Sequence, residues 1–183
     1  DICQANHTGR VMSLPIKEKT LHKKNRYISW IILEWQSEAH HQLQKSEVYN
    51  SKKQSKRTTK AAAPLYYIQK RPGGDIWENL HEFYPIETQA VPQWSRDASE
   101  LAPLLENLLG IPGTASALPI RSLAAVTQQL THQKIHGYIY KITLAERPSM
   151  LPLSDWYSTD TMKELAFPKL LKDIQFEAIQ KQK

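Results

Sequence analysis

The segment Leu130-Thr131-His132 has the side chains best suited to recognising a polar ligand, and two runs with the composition of β-strands flank it. The Thr131 hydroxyl can both donate and accept a hydrogen bond, which suits it to read a polar edge of another molecule. His132 either contacts a ligand, orients the turn or caps it. Leu130 is either an apolar wedge at the surface or a core residue of its strand. With Gln133 and Lys134, these residues predict a polar hairpin tip between the two strands.

A second chemical feature is a basic run inside the polar segment 36–63, in which no acid separates four cations: Lys52, Lys53, Lys56 and Arg57. We interpret the segment as a long loop between two strands. Its cations either contact nucleic-acid phosphates non-specifically or form a solvated surface. The whole chain has a net charge of +6 and a pI near 9.3, which favours a polyanionic partner, most commonly nucleic acid.

Common catalytic and metal-binding motifs do not occur, since the sequence has no GxxxxGK[ST], GxGxxG, CxxC or HExxH. His40-His41 is a poor candidate for a metal site, because adjacent side chains diverge in a strand or a helix. A single cysteine, Cys3, indicates a reducing compartment. No apolar run approaches the roughly 18–20 residues needed to span a bilayer, so we expect no membrane partner.

The elements that must position these residues are strands and helices mixed around one sheet. Apolar and period-two runs predict six strands: Arg26–Trp35, Pro64–Arg71, Leu80–Tyr84, Ile120–Leu130, Ile135–Leu144 and Trp156-Tyr157. We expect the second strand to be antiparallel to the first, and the third to end at Pro85. Helical spacing predicts helices over Ser95–Leu109, Thr159–Leu165 and Pro168–Gln180. Because proline is unfavourable inside a helix, a start near Pro103 is the alternative for the first helix. We expect Trp77 and Phe83 in the core under this first helix. The predicted fold class is α+β, with a mixed sheet of about five or six strands flanked by two or three helices.

The most distinctive stretch is YYIQKRPGGDIWENLHEFYP, over residues 66–85. It resembles the second strand and following loop in the C-terminal domain of MutY-type adenine DNA glycosylases, where a Gly-[IL]-W-x-N-L-W-E-F-P-like run occurs. Six positions match that run: Gly74, Trp77, Asn79, Leu80, Glu82 and Phe83. Two features depart from it, since His81 stands where the family usually has Trp and Tyr84 intervenes before the proline.

Three further segments resemble the same family in the same order along the chain. Cys3 is similar to the last cysteine of the family's iron–sulfur motif. Leu130-Thr131-His132 is similar to a Phe-Ser-His motif that reads 8-oxoguanine, with the hydroxyl kept and the aromatic ring lost. Ala166-Phe167-Pro168-Lys169 is similar to the Phe-Pro before the family's terminal helix.

The resemblance implies a Nudix-like α/β/α fold and a DNA-binding, lesion-recognition function in base excision repair. The parent enzyme would remove adenine mispaired with 8-oxoguanine, while this fragment would be non-catalytic and hold no cofactor. Its implied partners are double-stranded DNA containing 8-oxoguanine:adenine and the N-terminal catalytic domain of the same chain. The implied lesion-binding residues are Leu130, Thr131 and His132, and the implied location is the nucleoid in the bacterial cytoplasm.

The resemblance also implies a division of the chain. Residues 1–25 would be the end of the iron–sulfur motif and a connector, and residues 26–183 a Nudix-like domain carrying the 36–63 loop. Cys3 would bind a 4Fe-4S cluster only in the full-length parent, because such a cluster needs four thiolates.

Two other functions compete with lesion reading. A Nudix nucleoside diphosphate pyrophosphatase needs the pattern Gx5Ex7REUxEExGU, whose glutamates bind magnesium on one helix face. Here Leu101 stands where the second metal-binding glutamate should be, and Asp97 with Glu100 makes a poor cage for magnesium. The third candidate is a protein-interaction module in which residues 10–25 act as a docking peptide.

Overall fold

The computed structural model describes residues 3–13, 23–36, 63–110 and 119–180, with the side chains of residue 13 and residues 175–180 left aside. Its strands are β1 Lys24–Trp35, β2 Leu65–Tyr67, β3 Gln69–Lys70, β4 His81–Glu82, β5 Tyr84–Thr88, β6 Arg121–Gln129, β7 Gln133–Leu144 and β8 Trp156–Ser158. Its α-helices, which we number separately, are α1 Gln4–His7, α2 Ala102–Leu109, α3 Thr159–Lys163 and α4 Lys169–Gln180.

The main sheet has six strands, and its centre is the pair β1 and β7. These two strands run parallel over their full length, from Lys24 opposite Gln133 to Trp35 opposite Leu144. β6 pairs antiparallel with β7, β5 and β2 pair antiparallel with the two ends of β1, and β8 pairs with β2. β3 and β4 form a separate two-stranded sheet. The predicted mixed sheet is confirmed.

The sheet is covered on both faces, as the nearly continuous apolar run of β1 requires. Successive β1 residues point to opposite faces, so Trp30 and Ile32 contact one cluster while Ile31 and Leu33 contact the other. Side chains of α3 and α4 complete the first cluster, and side chains of α2 complete the second. These three layers confirm the α+β fold with helices on each side of the sheet.

Trp77 and Phe83 are in the core, but on the face opposite to the predicted one. Phe83 is fully buried with its ring centroid 5.4 Å from that of Phe167, in the cluster that α3 and α4 complete. Trp77 packs against the same cluster. The prediction that they lie under the first helix is therefore wrong, because the sequence shows apolar character but not the direction of the side chain.

The predicted second and third strands are interrupted. The second is broken at Ile68, so that β2 joins the main sheet and β3 pairs with β4 instead. Pro85 lies inside β5, opposite Trp30, and does not close the strand. Among the described strands β5 pairs with β1 alone, and such an edge position tolerates a residue that lacks an N–H.

The first predicted helix is confirmed with its start near the proline. Two 3₁₀ turns, Gln93–Ser95 and Ala98–Leu101, precede α2, and Pro103 is the second residue of α2. Gly110 ends the helix with φ of 60°, a left-handed conformation that glycine adopts without steric cost.

Several predictions fall on residues that the structure does not describe. The four loop cations Lys52, Lys53, Lys56 and Arg57, and the pair His40-His41, lie outside the described residues. Only the ends of the predicted docking peptide 10–25 are described. In the part of the chain that is described, no helix is both long and apolar enough to cross a membrane.

Candidate functional site

The predicted polar tip is the turn between β6 and β7. The Leu130 amide donates a hydrogen bond to the Gln133 carbonyl oxygen at 2.8 Å, which closes the turn. Thr131 and His132 are exposed, and neither side chain has a hydrogen-bond partner among the described residues. Leu130 is half-buried and packs against the core cluster. With respect to the described ranges, the turn therefore presents an unengaged hydroxyl and an unengaged imidazole on a hydrogen-bonded backbone.

The start of β1 lies directly beside this turn. The Lys24 amide donates to the His132 carbonyl oxygen at 3.1 Å, and Asn25 is opposite Lys134 in the parallel ladder. Lys23 and Lys24 are exposed and Lys134 is half-buried; we call these three residues the tip lysines. The tip lysines were not predicted as a site from the sequence. The Lys23-Lys24 pair before the first strand is visible in the sequence. The parallel pairing of β1 with β7, which places this pair beside the turn, has no local sequence pattern.

A network of charged side chains underlies the same end of the sheet. We call it the Arg26 network, and it comprises Arg26, Arg71, Asp75, Glu82 and Glu87. Arg26 donates to both Glu87 carboxylate oxygens, at 2.7 and 2.6 Å. It also donates to both Asp75 carboxylate oxygens, at 2.6 and 2.7 Å. Two bidentate pairs on one guanidinium give directional as well as electrostatic stabilisation.

Arg71 extends the network into the core. It donates to Asp75 at 2.7 Å and to Glu82 at 2.6 Å, and the same Glu82 oxygen accepts from the Trp30 indole at 2.9 Å. The side chains of Arg71 and Glu82 are only 8% and 2% exposed. A charge so far from water is tolerable only when it is paired and hydrogen-bonded.

The hydrogen bonds of the Arg26 network shift the pKa values of two of its members. The hydrogen bonds that Arg26 donates to Glu87, and then those that it donates to Asp75, raise the pKa of Arg26 above its ordinary value. The Arg26 guanidinium, through its hydrogen bonds, holds the pKa of the Asp75 carboxyl well below its usual range. The stabilisation from ionised Asp75 is thus fully present above the ordinary carboxyl pKa and is lost as pH falls through the lowered one.

The loop Pro72–Leu80 is attached to this network and has an unusual backbone. Trp77 and Asn79 have φ of 59° and 63°, in the left-handed region. For a bulky residue such as Trp77 this conformation costs on the order of 1–2 kcal/mol. The Trp77 ring centroid is 6.2 Å from that of Trp30, and the Arg71 guanidinium carbon is 5.9 Å from the Trp77 ring. Packing and the network together hold the loop in place.

The carboxylates that a Nudix hydrolase would use do not assemble here. Asp97 accepts hydrogen bonds from the Ser99 amide and hydroxyl, at 2.9 and 2.7 Å, and these bonds lower its pKa. Glu100 is exposed, while Leu101 is fully buried against the core. Within the described ranges, no group of three or more His, Cys, Asp or Glu side chains is arranged to hold a metal ion.

Cys3 is an exposed free thiol that precedes α1. It is the only cysteine of the sequence, whereas a 4Fe-4S cluster requires four thiolate ligands. The residues of this chain therefore do not fit such a cluster by themselves.

Three solved structures are similar to this chain to different degrees. The C-terminal domain of mouse MUTYH, in a complex with human PCNA, is 15% identical with a TM-score of 0.54, covering 84% of this chain and 88% of that one. The Nudix hydrolase RenU from M. smegmatis is 8% identical with a TM-score of 0.47, covering 86% and 85%. The NUDIX domain of Shewanella oneidensis NrtR, complexed with ADP ribose, is 8% identical with a TM-score of 0.49, covering 100% of both. At 15% identity, the likeness to the MUTYH domain shows the fold alone.

Sequence comparison defines the family more directly. The NUDIX domain matches residues 61–175, which is more than half of the chain. No curated protein gives a significant match. The matched span begins before β2 and ends within α4, so it includes β6, β7 and the turn between them. This chain belongs to the Nudix domain family.

Proposed function

We propose that the chain is the lesion-reading, DNA-binding domain of a MutY-type adenine DNA glycosylase, which removes adenine mispaired with 8-oxoguanine. The observation that carries this proposal is the exposed Thr131-His132 turn, whose backbone is hydrogen-bonded on both sides and which lies beside the three tip lysines. The turn supplies hydrogen-bonding groups for a base, and the lysines supply charge for the adjacent phosphates.

The Thr131 hydroxyl fits the chemical difference between the two bases. Relative to guanine, 8-oxoguanine gains a hydrogen-bond donor at N7 and an acceptor oxygen at C8. A hydroxyl can accept from the one or donate to the other. One such hydrogen bond contributes about 0.5–1.5 kcal/mol net, which gives at most roughly tenfold discrimination. Leu130 and His132 would add contacts on either side of it.

Catalysis would come from a part of the parent enzyme outside this chain. Such an enzyme flips the target adenine out of the stack, which costs a few kcal/mol, and then cleaves the glycosidic bond. This domain would read the opposite strand. In that parent, Cys3 would supply one thiolate of a 4Fe-4S cluster, and the other three would come from the catalytic domain.

A pyrophosphatase function has less support from the described residues. The helix position that needs a metal-binding glutamate is Leu101, and this side chain is fully buried. Asp97 is engaged as a cap of the turn before α2. Two carboxylates in this arrangement do not supply the several oxygen ligands that magnesium coordination requires.

Replacing Thr131 by alanine is expected to lower the preference for 8-oxoguanine:adenine over guanine:adenine duplexes by about twofold to tenfold, because one hydrogen bond is lost. Affinities for the two duplexes, measured at low salt with the 183-residue chain, give this ratio directly. Thr127→Ala is the matched control, since Thr127 is also exposed and lies on β6 of the same hairpin. An unchanged ratio in Thr131→Ala would remove Thr131 from the reading site.

Neutralising the tip lysines is expected to weaken binding to all duplexes alike. In the triple variant Lys23→Gln, Lys24→Gln, Lys134→Gln, the slope of log affinity against log salt should decrease by about 0.9 for each lysine that contacts a phosphate. The matched control replaces three exposed cations outside the turn and the tip lysines: Arg96, Arg121 and Lys163. Equal slopes for the two variants would show that the tip lysines do not contact DNA. The same measurement on the predicted loop cations Lys52, Lys53, Lys56 and Arg57 tests whether that loop contributes.

A further inference from the structure

Arg26 uses its whole hydrogen-bonding capacity. A guanidinium has five N–H donors. Four of them bond to the carboxylates of Asp75 and Glu87, and the Nη1 group also donates to the Gln133 side-chain oxygen at 3.3 Å. The Arg26 side chain is only 9% exposed. Its orientation is therefore fixed from three directions, by the loop Pro72–Leu80, by β5 and by the start of β7.

The contact of Arg26 with Gln133, at the start of β7, connects Arg26 to the proposed reading turn. Gln133 follows His132 in sequence, and its carbonyl oxygen accepts the Leu130 hydrogen bond that closes the turn. One nitrogen of Arg26 thus bonds both to Asp75 of the loop and to the residue on which the turn closes. Arg26 is thus a buried cation whose side chain bonds directly to the segment that forms the turn.

We infer that Arg26 is a positioning residue of the proposed reading site, which holds the Thr131-His132 turn in a fixed place relative to the loop Pro72–Leu80. This inference rests on the proposed function. Hydrogen-bond recognition requires donors and acceptors to be placed within a few tenths of an ångström. A turn whose position varies therefore discriminates less between the two bases, while the attraction of the tip lysines for phosphates is less affected. Arg26 acts through Gln133 and does not itself touch the DNA.

The test separates positioning from mere stabilisation. Gln133→Leu removes only the acceptor that faces the turn and leaves both carboxylate pairs of Arg26 intact. Gln69→Leu is the matched control, because Gln69 is also half-buried and its side-chain oxygen also accepts a bond at 3.3 Å, from the Tyr67 hydroxyl. Arg26→Lys is the second variant, since an ammonium keeps the charge but cannot form two bidentate pairs.

Two readouts on the 183-residue chain are compared. Amide hydrogen exchange at Leu130 and Lys24, whose N–H groups bond across the turn, should be faster by about threefold to tenfold in Gln133→Leu and Arg26→Lys, and unchanged in Gln69→Leu. The ratio of affinities for 8-oxoguanine:adenine and guanine:adenine duplexes should fall by about the same factor, while affinity for guanine:adenine changes less than about twofold.

The outcomes are distinguishable. Unchanged exchange at Leu130 and Lys24 in both variants overturns the inference, whatever the DNA measurements give. Faster exchange with an unchanged affinity ratio also overturns it, because the turn would then not need Arg26 for reading. A wild-type chain that binds both duplexes equally overturns the proposed function, and the exchange data then still decide whether Arg26 positions the turn.

Discussion

Replacing Arg71 by alanine is expected to lower the free energy of unfolding by about 3–5 kcal/mol, since the substitution leaves a buried carboxylate without its cation. Glu82 is 2% exposed, and its described hydrogen-bonding partners are Arg71 at 2.6 Å and the Trp30 indole at 2.9 Å. Without Arg71, the Trp30 indole is the described hydrogen-bonding partner that Glu82 keeps. Arg71 also bonds to Asp75 and to the Ile76 carbonyl oxygen at 3.1 Å, so the loop Pro72–Leu80 loses two of its contacts as well.

Urea denaturation of the wild-type and variant chains measures this effect. Lys163→Ala is the control, because the Lys163–Asp160 pair is exposed and such a pair contributes little to stability. Adding Glu82→Gln to Arg71→Ala should recover part of the loss, since the unpaired charge is removed. A loss below about 1 kcal/mol for Arg71→Ala would contradict the view that Glu82 depends on its partner.

Replacing Gly137 by alanine is expected to cost about 1–3 kcal/mol through overpacking. A Cβ atom at this position of β7 would lie 2.8 Å from the Trp30 ring and 2.8 Å from the Val126 side chain. Trp30 is fully buried and its indole is bonded to Glu82, so it cannot move aside without breaking that bond. The close approach of a tryptophan to the strand backbone therefore explains a glycine in mid-strand.

Thermal unfolding of Gly137→Ala checks this prediction, with Gly73→Ala as the control. Gly73 has an ordinary φ, and a Cβ there meets only the end of the exposed Glu78 side chain, at 3.1 Å. Its substitution should change stability by less than about 0.5 kcal/mol. If both alanine variants melted at the same temperature, the contact between Gly137 and Trp30 would be looser than the structure indicates.

Features with a local signature were predictable from the sequence. The alternation along residues 135–144 indicated a strand, and the polar residues before it indicated a turn, so the position of Thr131 at the turn followed. Pro103 and Gly110 likewise marked the two ends of α2, because proline and glycine act on the backbone within a turn of the helix.

Features that depend on distant pairing were not predictable. Arg26 is 49 residues from Asp75 and 61 from Glu87, so nothing near Arg26 in the sequence shows that it is paired. The tip lysines were missed for the same reason. The face assigned to Phe83 was wrong because the chain has a bend between β4 and β5, and a shift of one residue reverses the side chain.

The parallel pairing of β1 with β7 determines when the candidate site exists during folding. Arg26 and Gln133 are 107 residues apart in sequence, so their contact closes a long loop and has a high contact order. A nascent chain that has emerged only as far as α2 contains the Lys23-Lys24 pair and the loop Pro72–Leu80, but not the turn that they flank. We therefore expect the Thr131-His132 turn to reach its place beside Lys23-Lys24 only after β7 has paired with β1, late in the folding of the chain.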